Sequence, residues 1–107
     1  MLPVEIIAVM KNKGWLRTEP FDTKERITSA VRYLLIKHGM SVVQLGDQCG
    51  VARGYMRRKI IQHRWTVPDL DILTEIFDSH PSDLVAGYRQ MADIDAAEEE
   101  KDNYDDE

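Results

Sequence analysis

The chain has 107 residues, room for one small domain. Its 14 Lys and Arg stand against 19 Asp and Glu, a net charge of −5, so a uniformly basic surface is excluded. Aromatics make up only 7%, and β-branched residues show no sustained alternation, which argues against a sheet. The single cysteine, Cys49, cannot form an internal disulfide. No Cys/His cluster has zinc-ligand spacing, and no apolar run is long enough to span a bilayer. The first five residues lack the basic start of a signal peptide. The expectation is an all-α, cytoplasmic protein with no metal, no cofactor and no membrane.

The charge divides sharply along the chain. Residues 93–107 hold nine acids against Lys101 alone, a balance of −8, and the remaining 92 residues carry +3. Residues 53–64 contain Arg53, Arg57, Arg58, Lys59 and Arg64 and no acid. A basic centre and an acidic tail imply different partners for each.

In chain order, residues 1–21 are the least defined. Val4, Ile6, Ile7, Val9 and Met10 suit a short helix ended by Gly14, or a strand. They read as an N-terminal extension, either a helix on the core or an arm for dimerisation or the DNA backbone. Asp22 and Glu25 form a capping-box pattern. Ile27, Ala30, Val31, Leu34 and Leu35 then paint one apolar stripe up to Gly39. Ser41 and Gln44 open a second helix ending near Cys49. Gly50 suits a left-handed exit, and residues 52–61 form the next helix with Met56 and Ile60 inward. Pro68 starts a helix carrying Leu70, Leu73, Ile76 and Phe77 inward. A last helix spans Ser82–Met91, and the acidic tail 93–107 reads as disordered.

The tight turn Cys49-Gly50-Val51 followed by an arginine-bearing helix suits a helix-turn-helix that offers its second helix to the major groove. The span from Asp22 to Tyr88 resembles the helix-turn-helix domain of the lambda-repressor and Cro superfamily, the Xre family. The resemblance rests on Leu45, Gly46, Cys49, Gly50, Val51 and Met56, then on Pro68, Leu70, Leu73, Ile76 and Ser82-Asp83-Leu84. It implies a five-helix bundle over residues 22–92. Val42 stands where that family often has Gln. Lys59 stands where it has an apolar residue, which predicts a slight rotation of the helix that brings Ile60 inward.

By the docking this resemblance implies, Arg53, Gly54, Arg57 and Arg58 meet base edges, with Arg57 either a reader or a phosphate contact. An arginine fork can donate to both O6 and N7 of one guanine. Ser41, Tyr55, Lys59, His63, Arg64 and Thr66 are expected beside the sugar-phosphate backbone, where they position without reading sequence. Trp65 suits a core lid or a dimer contact, and Cys49 a small buried hydrophobe. One such domain touches few base pairs, so a homodimer on a two-fold site is expected. Leu84, Val85, Tyr88 and Met91 form either the dimer stripe or the closing side of the monomer core.

The function these residues imply is a sequence-specific regulator of transcription that binds double-stranded DNA, a repressor of the small phage type. The alternative is an antitoxin-like module whose acidic tail, or residues 1–21, binds a protein partner. With no Gly-rich phosphate loop, metal cluster or nucleophile motif, an enzyme is not expected.

Overall fold

The computed structural model describes residues 1–16, 22–52 and 54–105, with side chains to Glu99. Among the described residues seven helices follow in order: α1 Pro3–Asn12, α2 Thr23–Lys37, α3 Val42–Cys49, α4 Tyr55–Gln62, α5 Val67–Phe77, α6 Pro81–Ala86 and α7 Tyr88–Asp105. There is no strand among the described residues, and none of the helices is long and apolar enough to cross a membrane.

α2 is the axis of the molecule and packs against α1, α6 and α7. Asp22 caps it by accepting from the Glu25 amide at 2.8 Å. Its expected stripe is buried, and so are Thr28, Ser29 and Tyr33 on other faces. A helix buried nearly all round is covered by neighbours on several sides. One neighbour is α1. Pro3 fits its first turn, Gly14 leaves it at φ 70°, and Ile6 and Met10 are fully buried one turn apart. Residues 3–12 are therefore a docked helix, not a strand or an extended arm.

The expected helix Ser82–Met91 is two helices. Gly87 breaks it at φ 100° and ψ −171°, a region only glycine enters at low cost. A Cβ there would lie 3.1 Å from Ser29 Oγ and 3.4 Å from the Arg26 carbonyl oxygen. The corner is clamped to α2: the Tyr88 amide donates to Ser29 Oγ at 3.2 Å, and Arg26 Nε to the Val85 carbonyl at 3.1 Å. Gly87→Ala is expected to cost more than the ~1–3 kcal/mol of a strained backbone, because the new methyl also meets α2. A urea midpoint equal to wild type would contradict this.

α7 also corrects the expectation of a disordered tail, since it stays helical to Asp105. Asp95 holds its first half down: Tyr33 Oη donates to Asp95 Oδ2 at 2.7 Å, and Lys37 Nζ to Oδ1 at 2.7 Å. The following Ala96-Ala97-Glu98-Glu99 are good helix formers, so propensity carries the helix onward. Acidic composition alone predicts disorder, whereas one of these acids is an anchor.

Leu84, Tyr88 and Met91 are buried and Val85 half-buried within this single chain. The stripe offered for dimerisation instead closes the monomer core. The break at Gly87 turns α6 and α7 so that both face α2.

Candidate nucleic-acid interface

The α3–turn–α4 unit is built as its sequence suggests. The Ser41 hydroxyl accepts from the Gln44 amide at 3.1 Å, and Gln44 Oε1 accepts from the Ser41 amide at 2.8 Å. Gly50, at φ 70°, caps the end of α3 in the left-handed conformation, and the Val51 amide returns to the Gly46 carbonyl at 3.1 Å. Gly46 is buried where the two helices meet. A Cβ there would sit 3.5 Å from Met56 Cβ and 3.7 Å from Val51 Cγ2. A small residue at this point sets the close approach of the pair.

α4 begins at Tyr55, later than the expected start at residue 52. Gly54 precedes it at φ 87°, so it turns the chain rather than lying inside a helix. Arg53, expected to read bases, lies outside the described residues. Met56 and Ile60 point into the core as expected. Arg57 and Arg58 are exposed, and neither has an ion-pair partner among the described residues.

Lys59 departs from its expected role. It is only 8% exposed, and its ammonium donates to Asp69 Oδ2 and, at 3.1 Å, to the Arg64 carbonyl oxygen. It is not placed to contact a DNA backbone. The helix is not rotated to expel it; Lys59 and Ile60 are both buried, and Asp69 supplies the charge that burial demands. Asp69 also accepts from the Thr66 amide at 2.9 Å, while Thr66 Oγ1 caps α5. Thus the end of α4 is tied to the start of α5 through one carboxylate.

Burial pushes the Asp69 carboxyl upward, but the Lys59 ammonium and the Thr66 donors outweigh it, so it lies below the usual carboxylate range. A depressed native pKa stabilises fully above the unfolded value, about 4, and that contribution is lost as pH falls through the native value. Wild type is therefore expected to lose stability steeply below pH ~4, and Asp69→Asn less steeply over the same range. Parallel acid unfolding curves would contradict this.

His63 is also drawn inward. It ends α4 at φ 53°, and its Nδ1 lies 2.7 Å from Thr28 Oγ1. Trp65 donates its indole N–H to the same oxygen at 2.8 Å and is buried, the core role rather than the dimer one. The ring nitrogen nearest α2 is thereby used in packing, which leaves only Nε2 for an outside partner. Ser41, Arg64 and Thr66 are exposed, and the Ser41 and Thr66 hydroxyls still have a proton to donate outward. Tyr55 is 43% exposed, with its ring 5.3 Å from the Lys59 ammonium.

Cys49 is half-buried at the end of α3. Burial and the nearby Asp69 carboxylate push its thiol up, which suits packing rather than reactivity.

Two features of this surface escaped the sequence reading. Val43 stands 52% exposed on the second position of α3, and the adjacent pair Val42-Val43 is the available signal, since neighbours on a two-turn helix lie about 100° apart and a narrow inner stripe holds one of them. Trp15 lies between two cations, with Lys13 Nζ 5.0 Å and Arg32 Cζ 5.2 Å from its ring centroid. Nothing in the local pattern around Trp15 announces that arrangement.

The chain matches no family model, no curated protein and no solved structure.

Proposed function

We propose that the chain is a sequence-specific regulator that binds double-stranded DNA, with α4 in the major groove and α3 across the backbone. The observation that carries this reading is on α4. Its first two turns present Arg57 and Arg58 to solvent without a carboxylate partner among the described residues, while the third cation, Lys59, is neutralised internally. The exposed charge is thus concentrated on two forked side chains suited to base edges. Ser41, Arg64 and Thr66 supply phosphate donors beside it. The resemblance to the lambda-repressor and Cro superfamily supports the same docking and a repressor's role of the phage type.

A two-fold dimer with half-sites about one helical turn apart belongs to the proposal, because one α4 reads few bases. The dimer contact must lie outside Leu84, Tyr88 and Met91, which are buried. Selection of bound duplexes from a random pool tests the reading, with enrichment of a guanine-containing two-fold sequence as the expected result.

A further inference from the structure

The α3–α4 unit contains a cleft of about 260 Å³ that opens to solvent beside Arg57 of α4. Gly46, Val51 and Met56 line it, Val42 and Val43 stand on its α3 wall, and Arg57 on its α4 wall. The cleft is apolar because Gly46 contributes no side chain where α3 and α4 meet, and Val43 faces outward. It is smaller than the pockets that enclose drug-sized ligands. Asp47, also on the α3 wall, repels a phosphate.

Among the edges that natural bases present in the major groove, the 5-methyl of thymine is the apolar one. Resting on the reading that α4 enters that groove, we infer that this cleft seats a thymine methyl next to the base contacted by Arg57. Val43 and Val51 supply the apolar contact, and Arg57 fixes the neighbouring step by its fork. The pair would read a thymine beside a guanine, information that arginines alone do not provide. A cation on the rim of an apolar cleft suits a base edge, which is apolar at one point and rich in acceptors at the next.

The test uses the full chain and the duplex it selects. Each thymine is replaced in turn by deoxyuridine, which removes only the methyl. At one position per half-site, binding is expected to weaken about fourfold, the value of one buried methyl-sized group. Val43→Ser should abolish that difference, read as the ratio of the variant's own affinities for the thymine and uracil duplexes. Val43 is half-exposed, so the variant is expected to melt with wild type, and a melting curve checks this.

Equal binding of thymine and uracil at every position overturns the inference and leaves the DNA reading intact. So does a selected site without thymine. If Val43→Ser changes the sedimentation mass but keeps the thymine preference, the cleft serves a second copy of the chain, and the inference falls. If no duplex is enriched, the DNA reading fails first.

Discussion

Replacing Lys59 by alanine is expected to remove about 3–5 kcal/mol of stability, the usual cost of leaving one partner of a buried ion pair alone. Lys59 and Asp69 keep only 10% and 19% of their side-chain surface exposed, so solvent screens the pair little. Whole-domain stability is typically ~5–15 kcal/mol, so the variant should sit near its unfolding threshold at 37 °C. The Arg64 carbonyl would lose its ammonium donor, and the Asp69 carboxylate would keep only the Thr66 amide. The paired change Lys59→Met with Asp69→Leu distinguishes charge from packing, since an apolar pair of similar volume is often neutral or stabilising. Denaturant titration is the measurement. A Lys59→Ala midpoint within experimental error of wild type would show that the ammonium is not committed to Asp69.

The second large effect falls on recognition rather than stability. Arg58→Ala is expected to lose about 10- to 100-fold in discrimination between the selected duplex and one mutated at the contacted guanine, following ~1–3 kcal/mol per bidentate contact. Arg58 is exposed on α4, so its loss should leave the melting temperature within a few degrees. Arg57→Ala should behave alike if it reads a base. If Arg57 only holds a phosphate, affinity will fall equally on all sequences and the salt slope will drop by about one. Competition binding at two salt concentrations separates these outcomes. Undiminished discrimination in both variants would remove α4 as the reading helix.

Local signals were enough to place most helices. The caps at Asp22 and Ser41 form the bonds their spacing suggests, and Gly50 takes the left-handed turn expected of it. These are short-range features, fixed within three or four residues of sequence. What could not be read locally depended on distant partners. Gly87 looks like an ordinary helix residue until Ser29 and Arg26 are brought beneath it. Asp95 looks like one acid among nine until Tyr33 and Lys37 arrive from α2. The same holds for the site. Arg57 and Arg58 were legible because an outward face repeats on the helix. Lys59 was misread as exposed because its partner lies ten residues away, across the turn into α5. The Nδ1 contact of His63 is illegible for the same reason, with Thr28 as its distant neighbour.

Burial of Tyr33 carries a further consequence for α7. Burial first, and then its bond to Asp95, push the phenol well above its ordinary value of 10. The neutral phenol thus helps hold α7 on α2, and that contribution is present in full below pH ~10 and fades in stronger alkali.

Enrichment of duplexes from a random pool by the full chain, repeated with the Arg57→Ala, Arg58→Ala double variant, bears on α4 as the reading helix. Wild type is expected to select a two-fold sequence with guanine in each half-site, and the double variant no shared sequence at equal folded concentration. Enrichment of nothing by wild type, or of the same sequence by both proteins, would contradict this.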